Sequence, residues 1–347
     1  MKTQPLLSAI STILPAVNAK GLVPEFQFLY FHKDYVEATD GSLLLRAQLE
    51  EEMPEFCVEA GVFHQLLKTV TAEEVEIRLK DKSVVLKAKG LKTKLNLPAE
   101  VPECDIDFDV DDWTEVPDGL LEGLSLCRFT ACPDQTAGPL TGVRVEEDTV
   151  ISCDRWRVSL FSLEKAFGHS VTIPVNIIDQ LGRFPKIEGF AIKDSTIYFD
   201  ADTARIGAKL LLGEYPSEPL LGQLDQIKDA EELKLTKELK GAISDAGKRQ
   251  NIIQSKMLEF DRETEFTVDK GKVKLSAQSE AIGAIEETLD CKKAKKASFT
   301  FRINPVFLLK SFAETDTLLY SEPNNIAAFE GNNFMHLVKT KTPDEDK

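Results

Sequence analysis

The chain repeats itself, and a repeat of this period constrains the architecture before any single motif does. EAGVFHQLLKTV (59–70) resembles IPVNIIDQLGRF (173–184), and INPVFLLKSF (303–312) is a third copy. In the first, Val62, Phe63, Leu66, Leu67 and Val70 fall on one side of a helix. In the second, Ile177, Ile178 and Leu181 do so behind Pro174. In the third, Asn304 is an N-cap, Pro305 the first helical residue, and Phe307, Leu308 and Phe312 the apolar stripe. Each copy precedes a strand–turn–strand–turn–strand pattern ending in Pro, over 75–102, 190–216 and 317–343; these segments start 115 and 127 residues apart. A second set of helices is expected at 4–17, 117–130 and 236–249. Strand-rich segments follow each, with hairpin turns at Asp40-Gly41 and Lys270-Gly271. The chain therefore reads as an α+β protein of three tandem units of about 115 residues, each two copies of a helix plus about three strands. The boundaries expected are 1–110, 111–224 and 225–347.

Composition narrows the function. No apolar run of 347 residues reaches the roughly 18 needed to cross a bilayer. The N-terminal MKTQPLLSAISTILPAVNAK reads as an amphipathic helix rather than a secretory leader, since no small-residue cleavage pattern follows. Cysteines 57, 104, 127, 132, 153 and 291 are scattered, which suits reduced thiols in a cytosolic compartment. The four histidines (32, 64, 169, 336) form no metal-binding cluster, and the chain holds no GxSxG, Walker A, GxGxxG or CxxC motif. No enzyme chemistry, metal or cofactor is expected. The acidic run Asp105, Asp107, Asp109, Asp111, Asp112 lacks the Gly and terminal Glu of a calcium loop and reads as a solvated connector. Lys292–Lys296 reads as a solvated loop in preference to a nucleic-acid patch.

The net charge of −16, from 42 basic and 58 acidic residues, argues against a protein that coats nucleic acid with its whole surface. The charge is unevenly placed, however: the six helix windows, taken as 1–20, 60–70, 117–130, 174–186, 236–249 and 304–314, carry +5 and the remainder −21. If all six line one surface, that surface attracts phosphate while the rest repels it. The candidate contacts are Lys20, Lys68, Arg128, Arg183, Lys186, Lys240, Lys248, Arg249 and Lys310. For any one of them, ordinary solvated helix charge is the competing reading.

In order and spacing, these segments resemble the bacterial DNA polymerase III β sliding clamp, in a divergent or phage-encoded version. The resemblance rests on the 60–70 helix and LNLPAEVPECDIDF in the first third, on LTGVRVEEDTVISCDRWRVSL, VTIPVNIIDQL and KLLLGEYP in the second, and on FTFRINPVFLL and FMHLVKTKT in the last. It implies three domains of one fold, helices lining a ring with sheets outside, and a head-to-tail homodimer. It also implies a processivity role: the ring encircles duplex DNA without regard to sequence and tethers the replicative polymerase. The alternative is a clamp-fold platform for phage transcription or repair proteins. The location implied is the cytoplasm of a bacterium or of an infected bacterial host. Peptides of the polymerase and clamp loader are expected in a cleft lined by Cys153, Arg155, Trp156, Arg157, Val158, Leu220, Leu221 and Val338. Here the family's Ala-Thr-Asp-Gly-His-Arg-Leu-like run reads Ser152-Cys153-Asp154-Arg155-Trp156-Arg157-Val158, with Arg155 for Gly and Trp156 for His. Trp156 is either a surface anchor for an apolar peptide or a core tryptophan. The dimer interface is expected near 75–108 and 257–275.

Overall fold

The computed structural model describes residues 1–100, 102, 107–291, 297–312 and 314–342. Cys104, Asp105, Lys292–Lys296 and the acidic end from Pro343 lie outside the described residues.

One succession of elements occurs three times. The first pass runs α1 (Thr3–Ile13), β1 (Phe28–Phe31), β2 (Tyr35–Thr39), β3 (Leu43–Gln48), β4 (Phe56–Glu59), α2 (Ala60–Lys68), β5 (Glu76–Lys80), β6 (Ser83–Ala88) and β7 (Leu91–Asn96). The second runs β8 (Thr114–Glu115), α3 (Leu120–Cys127), β9 (Gly142–Glu146), β10 (Thr149–Cys153), β11 (Arg157–Ser162), β12 (Val171–Pro174), α4 (Val175–Leu181), β13 (Ile187–Lys193), β14 (Thr196–Ala201) and β15 (Ala204–Lys209). After α5 (Ser217–Leu221) and a 3-10 segment (Gly222–Ile227), the third runs β16 (Glu231–Lys234), α6 (Lys237–Ile253), β17 (Thr264–Asp269), β18 (Lys272–Ser279), β19 (Gly283–Asp290), β20 (Phe299–Ile303), α7 (Pro305–Ser311), β21 (Thr315–Ser321), β22 (Ile326–Gly331) and β23 (Phe334–Lys339). An isolated bridge between Lys2 and Glu74 takes the place that β8 and β16 hold in the later passes.

Sheet topology explains why the repeats are not free-standing. One eight-stranded sheet has the order β4-β1-β2-β3-β15-β14-β13-β8, and another has β12-β9-β10-β11-β23-β22-β21-β16. Each is thus stitched from four strands of one pass and four of the next, joined by antiparallel β3–β15 and β11–β23 ladders. The remaining halves stand apart as a four-stranded sheet, β20-β17-β18-β19, and a three-stranded one, β5-β6-β7. Chain contacts accordingly form two compact units: Met1–Val116 with Ile173–Leu212, and Pro117–Thr172 with Gly213–Lys347. They follow the completed sheets rather than the sequence repeat, because a continuous ladder crosses each repeat boundary.

In the first unit, α1 lays Leu6, Ala9, Ile10 and Ile13 on its sheet, the i, i+3, i+4, i+7 stripe of a half-buried helix. The Glu59 carboxylate caps α2 by accepting from Gly61 N (3.0 Å) and Val62 N (2.7 Å). Phe63 of α2 packs 5.4 Å from Phe31, which stacks on Phe56 at 4.6 Å. In the second unit, α6 buries Leu239, Ile243 and Ala246. Gly247 lets α7 come close, since a Cβ there would stand 3.2 Å from Leu309 Cδ2. Each large apolar side chain buried this way is worth about 1.5–3 kcal/mol. The hairpin at Lys270-Gly271 has φ of 47° and 81°, the left-handed pair that matches strand twist.

The acidic connector is not simply solvated. Asp107 pairs with Lys193 Nζ at 2.8 Å, and Phe108 is buried beneath Arg46, whose guanidinium carbon lies 4.7 Å from the Phe108 ring. Among the described residues, no helix is long and apolar enough to cross a membrane.

Candidate functional site

The second unit carries a groove of about 450 Å³. Its walls are the β10–β11 turn with Arg157, the segment Cys132–Asp134, residues Glu259, Arg262 and Glu263, the β20–α7 junction from Arg302 to Phe307, and Lys339–Lys341 after β23. The local sequence fixes each wall. Asp154 Oδ1 accepts from the backbone N–H of Trp156 and of Arg157, each at 2.8 Å, which closes the turn. Its other oxygen, Oδ2, takes Arg157 Nε (2.9 Å) and Nη2 (2.6 Å). The Arg157 guanidinium carbon then lies over the Phe307 ring, 4.2 Å from its centroid. Asn304 caps α7 through Val306 N (2.9 Å) and donates from Nδ2 to Glu259 O (2.6 Å). Arg302 and Lys341 exchange backbone hydrogen bonds of 2.8 and 3.0 Å, and Lys341 pairs with Glu263.

An equivalent turn in the first unit separates structural need from surplus. Asp40 Oδ1 there accepts from Ser42 N (2.9 Å) and Leu43 N (2.8 Å), the same closure. That turn reads Asp-Gly-Ser-Leu and the groove turn Asp-Arg-Trp-Arg. The turn needs the aspartate. It does not need two arginines and a tryptophan, and Trp156 is 50% exposed.

Electrostatics at the groove is set by a few groups. Asp134 is held below the usual carboxylate range by the Thr136 hydroxyl and N–H, with the Arg155 charge adding to the effect. Beneath the turn, His336 is fully buried, its Nδ1 3.0 Å from Ser159 Oγ and its ring 4.8 Å from Phe129. Burial, with the charge of Arg157 behind it, pushes His336 down to about 3, so the imidazole is neutral.

Of the expected cleft residues, the structure brings Arg155, Trp156 and Arg157 together on this groove, and Trp156 lies at the surface rather than in the core. The others do not line it. Cys153, Val158 and Leu220 are buried in an apolar cluster, and Val338 is buried in another. The reason is strand alternation: Val158 faces the cluster with its cross-strand partner Leu337, and the linker folds back as α5 with Leu220 inside. Leu221 is exposed, away from the groove. Sequence reading missed Asn304 and Phe307 as groove residues, having assigned both to helix capping and packing. It also missed Cys132–Asp134 and Glu259–Glu263, which carry no motif.

The basic candidates are dispersed. Lys20, Lys68, Arg128, Arg183, Lys186, Lys248, Arg249 and Lys310 are exposed. Several are engaged: Arg183 with Gln180 Oε1 (2.7 Å) and Ser11 O (3.2 Å), Lys186 with Glu188 (2.6 Å), Lys248 with Asp245 (2.9 Å), and Arg249 with Glu287. Lys240 is half-buried and donates to Thr315 O (2.8 Å). Lys20, Arg128, Arg183 and Lys186 fall beyond the ends of α1, α3 and α4, so the helix excess of charge owes much to flanking residues.

The whole chain superposes on solved proteins. The DNA polymerase III beta chain of Streptococcus pneumoniae matches with a TM-score of 0.84 at 15% identity, over 98% of each chain. This is the sliding-clamp fold. The DNA polymerase sliding clamp of Bacillus subtilis matches at 0.83 and 16%, over 99% of this chain and 98% of that one. The Helicobacter pylori beta clamp, solved bound to a DNA ligase peptide, matches at 0.81 and 17%, over 99% of each. No family model and no curated protein matches the sequence. At these identities the clamp fold is retained although few side chains are.

Proposed function

We propose that this chain is a DNA sliding clamp: two copies close head to tail into a ring around duplex DNA and tether the replicative polymerase through the groove at Trp156. The observation that carries this reading is the divided sheet. Both complete sheets join a β4-β1-β2-β3-type half to a β15-β14-β13-β8-type half. The unpaired halves are one of each type, with open edges at β19 and β7, positions equivalent to β3 and β15. A second copy supplies the missing partner for each edge, giving two further sheets across two equivalent interfaces.

The edges are complementary. β7 exposes Lys92 and Lys94, and β19 exposes Glu286 and Asp290. Their alternate positions, Leu91 and Leu95 against Ile285 and Leu289, are half-buried and continue the apolar layer. Within the expected 257–275 segment, β17 and the part of β18 it includes are already paired on both sides, so β19 takes their place in the interface. The expected 75–108 segment contains β7.

Such a ring acts by binding and holds DNA by topology, so weak contacts suffice. Exposed lysines such as Lys68 and Lys310 supply sequence-independent attraction to phosphate. The groove supplies the tether, and its affinity for polymerase and loader peptides turns dissociation into local rebinding.

Light scattering on a size-exclusion column tests the assembly. The chain is 38.6 kDa, and a mass of about twice that, stable on submicromolar dilution, is expected. Loaded protein should stay on circular DNA and slide off linearised DNA. A strict monomer at high concentration would sink the closed ring.

A further inference from the structure

We infer that the polar face of the β5-β6-β7 sheet holds a length of duplex DNA by its phosphates. This face is turned away from the apolar layer of Val84 and Leu86. In the ring proposed above, whose helices line the hole, it looks outward, so a duplex held here is additional to the one encircled.

Three observations carry it. The first is charge. Residues 76–96 hold seven Lys and Arg against two acidic residues. The equivalent strand triplets, 187–209 and 315–339, hold three against four and one against three. The excess is therefore not a requirement of the fold. In a chain of net charge −16 it makes a positive patch in negative surroundings, which draws polyanions to this place. The second observation is placement. Strand register puts Arg78, Lys80, Lys87, Lys92 and Lys94 on one face, with Lys87 directly opposite Lys92. Like charges placed so repel, and a polyanion relieves them. Glu76, the one carboxylate on that face of the three strands, is shared by Arg78 and Lys87. The third observation is the lack of anything else to bind. Val85 is the one apolar residue on that face, and it is 9% exposed. A protein partner finds no apolar or aromatic anchor there. Residues 76–96 include no Phe, Tyr or Trp on which the bases of a single strand could stack. Duplex phosphates need neither, only cations.

The test measures binding of the full chain to a covalently closed circular duplex, with no loader, between about 50 and 200 mM salt. A closed ring cannot thread such a circle, so the probe reads the outside of the protein. The unchanged chain should bind at the low-salt end. The triple change Arg78→Gln, Lys80→Gln, Lys87→Gln should lower the slope of log affinity against log salt by up to about 2.7. Lys92 and Lys94 are left unchanged because they border the proposed partner edge. Glu76→Gln, which removes the competing anion, should tighten binding. Lys68→Gln with Lys310→Gln should leave the slope as it is. No binding of the circle, or a slope that the triple change does not move, would overturn the inference. So would a slope that falls only with the Lys68 and Lys310 pair, which would mean that the circle enters the ring. Poly-glutamate that displaces the circle as well as linear duplex does at equal charge would replace the duplex with an acidic protein surface. Solution mass and sliding off linearised DNA judge the ring separately, and neither depends on Arg78, Lys80 or Lys87.

Discussion

Asp154 does two jobs with one carboxylate: it closes a turn and neutralises a buried guanidinium. Replacing it with Asn keeps the Oδ1 acceptor and removes the counter-charge. Asp154→Asn should therefore cost about 3–5 kcal/mol, the usual penalty for stranding a buried charge. Urea unfolding of the dilute chain measures it, and a loss below 1 kcal/mol would contradict the account. His336 gives a pH prediction. Its folded value of about 3 lies below the ordinary 6.5, so the unfolded chain takes up its proton first as pH falls. The stability it contributes is complete above about 6.5 and is lost progressively toward about 3, at up to about 1.4 kcal/mol per pH unit. His336→Leu should flatten that part of the urea midpoint–pH curve. An unchanged slope between pH 6 and 4 would show that other groups set it.

Among the elements, α2, α4 and α7 are legible because their apolar residues recur at helical spacing behind Glu59, Pro174 and Asn304. The fourth strand of each first half is not. β4 runs from Phe56–Glu59 straight into α2 at Ala60, and β12 into α4 at Val175, with no turn residue where the period changes. The five-residue α5 was hidden by its Pro219 and its length. The open edges were illegible for a different reason: β7 and β19 look like any amphipathic strand until the pairing of the others is known. Their charge makes them testable. Lys92→Glu with Lys94→Glu should weaken self-association at least tenfold, and adding Glu286→Lys with Asp290→Lys should restore it. Glu286 also pairs with Lys274 at 2.8 Å, so partial recovery is expected. Sedimentation at several concentrations reads the result, and failure of the fourfold change to recover any association would remove these edges from the interface.

For the whole molecule, the fold was legible from sequence because the repeat is long and periodic, whereas the groove depends on segments far apart in sequence and only its turn could be read. The candidate DNA-contacting cations were read one by one, and the structure ties several to neighbouring acids. Lys68 and Lys310, exposed on α2 and α7, are the better candidates. Neutralising both to Gln should lower the slope of log affinity against log salt by up to about 1.8 per chain. A slope that does not change would remove both from the DNA path.

Because each complete sheet is built from consecutive passes, synthesis leaves an interval of exposure. β3 leaves the ribosome with Leu43–Gln48, and its partner β15 begins only at Ala204. At roughly 5–20 residues per second, that gap lasts on the order of ten seconds. During it the nascent chain carries an unpaired, largely apolar edge, Leu43-Leu44-Leu45, with nothing of its own yet made to cover it. The hazard repeats between β11 and β23. The chain is thus most exposed to chaperones, proteases and neighbouring nascent chains before it is finished, and slow codons between residues 48 and 204 would lengthen that danger without altering a single contact in the mature protein.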